Sequence, residues 1–272
     1  MAFQNQELVE HMSGLQVSDD KDKLPAQQFH TNARSNQRYG ERIPVQDSNV
    51  PWYVDFMDYN PPDFTHPVVL ANNRDVKEGG WADPPLDDNI PCPQNPQGRT
   101  GLKGRGLLGK WGANQAADPM VCRRNPESNQ LEVVLIQRKD TGEWAIPGGM
   151  VDDGDSVSRT LRKEFEEEAA RNEFKEDQEV IATIFSPNNR YLIYEGYVDD
   201  SRNTDNAWME TSAYLFVCTE RQAKLLKFES QKGETLDVKW IPFSELDHIK
   251  LFASHRDFLE GAERELVQRN LC

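Results

Sequence analysis

The sequence predicts an α/β or α+β sandwich, and three observations carry that expectation. Segments with strand-like patterning outnumber helical ones. The two clearest helical periods are separated by strands, not side by side. Of the 272 residues, 37% are hydrophobic, enough to build a sizeable core. Interleaved helices and strands bury their apolar faces against one another in layers, which a helical bundle does not do.

The elements follow in chain order. Residues 1 to about 45 are polar with little periodicity and are expected to be disordered or loosely attached. From Val50 to about Asn95 the chain is rich in Pro, Asp, Asn and aromatics; "PWYVDFMDYNPPDF" and "HPVVLA" read as short extended pieces between turns. "GRTGLKGRGLLGKWG" (98–112) is Gly-rich and basic, with Arg99, Lys103, Arg105 and Lys110. "LEVVLIQRK" (131–139) reads as a strand and "EWAIPGG" (143–149) as a short strand ending in a turn. Residues 156–171 read as a helix capped by Ser156, with Val157, Leu161 and Phe165 at four-residue spacing. "EVIATIF", "YLIYEGYV", "AWMETSAYLFVCT" and "DVKWIPF" read as strands. A last helix is expected over about 254–270, with Ser254 and Asp257 at capping-box spacing. The boundaries predicted are an N-terminal segment (1–45), a small α+β or mostly β cap domain with its Gly-rich join (46–112), and a main domain (113–272).

The bulk numbers exclude several classes. A formal net charge of −15 argues against broad binding of nucleic acid or anionic membrane, both of which need basic surface. It does not argue against a small anionic substrate, because a bound divalent cation reverses the local sign. The four cysteines are scattered, without a C-x-x-C pair, so neither a zinc site nor a disulfide framework is indicated. No apolar run approaches a membrane span, and the first residues lack the pattern of a secretory signal. A soluble intracellular protein is expected, cytoplasmic by default, with the mitochondrion as the alternative compartment and a monomer as the simplest assembly.

The chemistry concentrates in "GGMVDDGDSVSRTLRKEFEEEAAR" (148–171), where Glu164, Glu166, Glu167 and Glu168 crowd onto the predicted helix. At about 100° per residue, Glu164, Glu167 and Glu168 share one side and Glu166 points away. An acidic run of this kind is often only a solvated face. Here it follows "PGG" at a strand end by a short interval, so the helix N-terminus lies at a turn whose N–H groups suit an anion. Three like charges on one face call for a neutralising partner, and a hard divalent cation with oxygen ligands is the natural one.

This stretch resembles the Nudix box: Gly, five residues, Glu, seven residues, Arg-Glu, an apolar residue, any residue, Glu-Glu. Gly149 starts the pattern, and the metal-binding glutamates of the family fall on Glu164, Glu167 and Glu168. Asp155 stands where the family has Glu, Lys163 where it has Arg, and Ala170 where it has a later Gly. The first two swaps keep charge but shorten one arm and lose a bidentate fork; Arg162 is the alternative source of that fork. Longer motifs ("GRTGLKGRGLLGKWGANQAADP", "GEWAIPGGMVDDGD", "YVDDSRNTDNAWMET" and "FASH") are similar to the ADP-ribose pyrophosphatase branch, which includes the C-terminal domain of ADP-ribose-gated melastatin-type channels. The resemblance covers about 50 to 265. It implies a Nudix α/β/α sandwich beside a small N-terminal domain, a ligand cleft between them, and Mg²⁺-dependent cleavage of ADP-ribose to AMP and ribose 5-phosphate, with Mn²⁺ able to substitute.

The same resemblance places Asp200, Arg202, Phe252, His255, Ile146 and Gly149 at the ligand, with Arg99 and Arg105 reaching the cleft from the join. Read without it, several of these have plainer roles. "DDSRNTDNAW" is a polar hairpin loop, His255 a residue at a helix start, and Trp111, Trp144 and Trp208 core residues. Gly104, Gly106 and Gly109 spell G-x-G-x-x-G, but no βαβ unit surrounds them. The proton acceptor stays open among Glu167, Glu168, Glu210 and Asp200. A domain that senses ADP-ribose without cleaving it, an enzyme for another nucleoside diphosphate and a ligand-free acidic domain are the rival readings; retention of all three glutamates favours catalysis.

Overall fold

The computed structural model describes residues 30–35, 40–87, 89–171, 174–229 and 235–271. A helix, α1 (Thr31–Ser35), precedes β1 (Asp63–Thr65), α2 (Pro67–Ala71) and β2 (Lys103–Gly106). The main domain then runs β3 (Gly112–Arg124), β4 (Leu131–Arg138), β5 (Trp144–Ala145), β6 (Gly149–Met150), α3 (Val157–Glu168), α4 (Lys175–Ile184), β7 (Tyr191–Val198), β8 (Ala207–Val217), α5 (Glu220–Leu225), β9 (Thr235–Pro242) and α6 (His255–Gln268).

The main sheet is mixed, in the order β5-β4-β3-β8-β7, with β6 joining β3 and β9 joining β4. Among the described residues of this sheet, β3 and β8 pair in parallel, from Gly112 opposite Ala207 to Cys122 opposite Val217, and the other strand pairs are antiparallel. Alternation along central strands sends side chains into two cores. Ala116, Met120, Val133 and Leu135 pack with Phe258, Leu259 and Leu266 of α6. Ala117, Val121, Val134 and Ile136 pack with Leu161 and Phe165 of α3 and Ile181 and Ile184 of α4. This is an α/β/α sandwich. A separate two-stranded parallel sheet, β1-β2, ties the Gly-rich segment to residues 63–65.

Four expectations need correction. "EVIATIF" is not a strand but the second half of α4: Ile181 and Ile184, three apart, share one buried face, and packing there overrides the β-propensity of the branched residues. "HPVVLA" contains α2, with the His66 side chain accepting from Val68 N–H. The longest strand, β3, is invisible to patterning because "GANQAADP" is small, polar and interrupted by proline. Pro119 is tolerated since it lies between the β6 pairs at Ala116 and Ala117 and the β4 pairs beginning at Cys122, where that edge of β3 has no neighbour. At α6 the capping box does not form: Ser254 is not extended and its side chain caps nothing. Ser156 does cap α3, accepting from Arg159 N–H at 3.3 Å.

The N-terminal segment departs from expectation where it is described; residues 1–29 and 36–39 lie outside the described residues. Ala33, Val45 and Arg42 are buried. The N–H groups of Asn32 and Ala33 both donate to the Asp199 carboxylate at 2.9 Å, and His30 Nδ1 lies 3.0 Å from the Tyr197 hydroxyl. Burial, aided by the nearby Arg34 charge, lowers the His30 pKa to about 4. A histidine held neutral in the docked state costs stability once the free segment takes up a proton. Docking is therefore unaffected above about pH 6.5 and weakens as pH falls from 6.5 toward 4. Hydrogen exchange at residues 31–35 should speed up across that window in the wild type relative to His30→Gln; identical profiles would refute the assignment.

Candidate active site

The Gly148–Gly149 turn and α3 face each other. Gly148 N–H donates to Glu168 Oε2 at 2.8 Å. A Cβ at Gly149 would fall 2.5 Å from Glu164 Oε2, so the carboxylate occupies space that only glycine leaves. Glu167 projects from the same helix face and is exposed, and Glu166 accepts from Arg162 Nε at 2.7 Å. Arg162 is thus committed to Glu166 and does not replace the fork that Lys163 lacks. Lys163 instead reaches Asp152 at 2.9 Å, and Asp155 pairs with Arg159 at 2.9 Å. The loop between turn and helix is also gripped from the join and the cap: Asp153 meets Lys110 at 2.6 Å and Arg74 at 2.9 Å.

Among the described residues no three His, Cys, Asp or Glu side chains converge as a ready-made metal cage. A magnesium-type site does not need one, since that ion binds through one or two carboxylates and keeps several waters. Hard carboxylate donors, two of them anchored at a glycine turn, fit a divalent cation of this kind.

Beside the turn lies a cavity of about 530 Å³. Ile146, Gly149, Asp200, Arg202, Phe252 and His255 all line it, although they come from three separate parts of the chain. Asp200 takes a bidentate fork from Arg202, with Nε at 2.8 Å and Nη2 at 2.7 Å. Burial works to raise the Asp200 carboxyl, but the Arg202 charge and its hydrogen bonds outweigh that and hold it below the ordinary carboxylate value. His255 Nδ1 accepts from Ile146 N–H at 2.9 Å. Burial lowers its pKa against the opposing pull of Asp118, so the ring is neutral with its proton on Nε2, 3.9 Å from Asp118 Oδ1.

Arg99 and Arg105 do not reach this cleft. Arg99 is buried among cap carbonyls, donating to Asn49, Pro51 and Val54 at 2.9, 2.7 and 3.1 Å. Its guanidinium also lies 5.0 and 5.1 Å from the ring centres of Trp52 and Tyr59. Arg105, 1% exposed, donates to the Asp83 and Gly109 carbonyls and lies against Trp111. A basic, Gly-rich composition records charge but not direction, and here buried carbonyls claimed the charge. Trp111, Trp144 and Trp208 do not line the cavity either.

Two lining residues escaped sequence reasoning. Asp118 sits in the gap of β3 beside Pro119, accepts from Thr211 Oγ1 at 2.5 Å and would be struck by any Cβ at Gly148. Arg138, at the end of β4, lies 4.3 Å from the Phe252 ring centre. Nothing in local patterning marks either; both matter because distant strands meet.

With this fold and site in view, comparison with known proteins is direct. A NUDIX domain profile matches residues 115–262, and a NUDT9-like N-terminal domain profile matches residues 84–112. The chain therefore belongs to the Nudix family of hydrolases, which generally require a divalent metal. It is 38% identical to the mitochondrial ADP-ribose pyrophosphatase of Rattus norvegicus, the match covering 85% of this chain and 77% of the relative. It is 41% identical to putative nudix hydrolase 6 of Caenorhabditis elegans, covering 80% and 89%. A transient receptor potential cation channel subfamily M member-like 2 of Nematostella vectensis is 40% identical over 85% of this chain, which spans only 17% of the channel. No helix among the described residues is long and apolar enough to cross a membrane.

Proposed function

We propose that this chain hydrolyses the pyrophosphate of ADP-ribose to AMP and ribose 5-phosphate, using Mg²⁺ with Mn²⁺ able to substitute. The observation that carries the reading is the Gly148–Gly149 turn, which has the Asp200–Arg202 fork across the cavity it lines and Glu164 and Glu168, themselves outside the cavity lining, packed against it from α3. The rat relative, named an ADP-ribose pyrophosphatase, supports the choice of substrate.

Glu164, Glu167 and Glu168 would hold the metal. The chemistry it supplies is neutralisation of the pyrophosphate and activation of a water. The protein's own groups do the rest. Arg202, fixed in direction by Asp200, offers positive charge to the substrate. Neutral His255 presents an Nε2–H donor, and the Phe252 face gives an apolar surface backed by Arg138. Of the four acids considered as proton acceptor, Asp200 has both oxygens on Arg202. Glu210 has its two engaged by Gln115 and Trp208. Glu167 and Glu168 remain.

We further assign residues 46–112 to the cap domain and its join and 113–272 to the hydrolase domain, and take the protein to be an intracellular monomer, in cytosol or mitochondrion. The deciding experiment incubates the protein with Mg²⁺ and ADP-ribose and follows AMP and ribose 5-phosphate by chromatography. Stoichiometric products are expected. Binding without products at high enzyme would replace the enzyme by an ADP-ribose sensor, the reading suggested by the channel relative.

A further inference from the structure

We infer that Arg42, in the N-terminal segment, is a positioning residue for substrate: it fixes the turn that carries Arg202 into the cleft. The inference rests on the reading of the cavity as the ADP-ribose site. Arg42 lies outside both family matches, which begin at residue 84. It is 5% exposed, an unusual burial for a long cation unless its donors are spent. Nη2 donates to the carbonyls of Ser201 and Asn203, at 3.2 and 2.6 Å. Those two residues bracket Arg202. Nη1 donates to the Thr100 carbonyl at 3.3 Å, linking the turn to the join.

The turn is also held from the sheet side, and just past it Thr204 Oγ1 donates to the Gly104 carbonyl of the join. Asn203 Nδ2 donates to the Val198 carbonyl at 2.7 Å, and its Oδ1 accepts from Met209 N–H at 2.8 Å. Arg42 adds a restraint on the two carbonyls that flank Arg202. The same N-terminal segment grips Asp199 through Asn32 and Ala33, and Asn32 itself lines the cavity. So one segment holds the binding stretch at Asp199 and again at Ser201 and Asn203.

The planar guanidinium fork holds the Thr100 carbonyl through Nη1 and the Ser201 and Asn203 carbonyls through Nη2, whereas an ammonium is a point charge that cannot hold all three in fixed directions. Losing the fork frees the backbone on either side of Arg202, and a displacement of ~1 Å in a positioning group costs on the order of 10²-fold. The metal-binding glutamates are held by a different element, the Gly148–Gly149 turn. The cost therefore falls on substrate binding, not on the chemical step.

The test compares wild type, Arg42→Lys and Arg42→Met in the full chain. Arg42→Met should raise KM for ADP-ribose ~10-fold or more with kcat within ~3-fold, and Arg42→Lys should fall between. Calorimetric Kd for ADP-ribose should move in parallel with KM. A lower melting temperature with KM and Kd unchanged would reduce Arg42 to a structural brace and overturn the inference. If Arg42→Met does not fold, Arg42→Lys decides alone: a KM raised ~3-fold or more supports the role, an unchanged KM refutes it. A wild type that neither binds nor cleaves ADP-ribose would sink the substrate assignment itself, an outcome visible before any variant is made.

Discussion

Glu167→Gln combined with Glu168→Gln should cut kcat for ADP-ribose by about 10³-fold or more while leaving the far-ultraviolet spectrum unchanged. The amides remove two charges from the face that would hold the cation. Metal-assisted charge stabilisation is worth several kcal/mol, and about 4 kcal/mol corresponds to roughly three decades of rate. The fold should survive because the amide introduced at position 168 retains a side-chain oxygen, so the Gly148 N–H keeps an acceptor in place of Glu168 Oε2. Glu166→Gln is the internal control. Glu166 pairs with Arg162 on the outer side of α3, a partly exposed i,i+4 pair worth a few tenths of a kcal/mol, so its turnover should stay within ~2-fold. Near-normal kcat in the double variant would place the metal elsewhere in the cleft.

Arg99→Met should give the largest loss of stability from a single substitution outside the main domain. The guanidinium satisfies three cap carbonyls and is enclosed by Trp52, Phe56 and Tyr59. Methionine fills much of the volume but leaves those carbonyls without their donor, at a cost of ~3–5 kcal/mol. For a protein of this size that is a fall of about 10 °C in Tm, with early proteolysis between residues 49 and 54. Because Arg99 does not line the cavity, KM measured on folded protein at low temperature should not move. A raised KM with unchanged Tm would return Arg99 to the substrate site.

What could be read in advance divides along a physical line. Glu164, Glu167 and Glu168 were legible because one helix fixes their relative directions: spacing is geometry when the residues share a rigid element. Ser156 was legible for the same reason, as a cap acts within three residues. Asp200 and Arg202 were placed at the ligand by the family resemblance alone; that they close on each other across one short turn is a finding of the structure. Where local and tertiary preferences competed, patterning failed. The β-branched run at 179–185 took the helix that packing on Phe165 and Phe216 required, and β3 formed from a segment that no propensity favours.

The direction of a long basic side chain was beyond sequence for Arg42, Arg99 and Arg105. Arg42, Arg99, Arg105 and Arg202 differ little as residues in polar stretches. Unpaired carbonyls of neighbouring segments drew Arg42, Arg99 and Arg105 inward, while Asp200 turned Arg202 toward the cleft. Asp118 acquires its place only where β6 and β4 leave a gap along β3. The amino-acid order alone thus marks the acidic helix, the glycine turn against it and the class of chemistry, since these interact across a few residues. Which charges join that site was settled by packing, because a buried cation goes where acceptors are unmet, and for Arg42 those acceptors, at Ser201 and Asn203, arrive only once segments 159 and 161 residues apart have met.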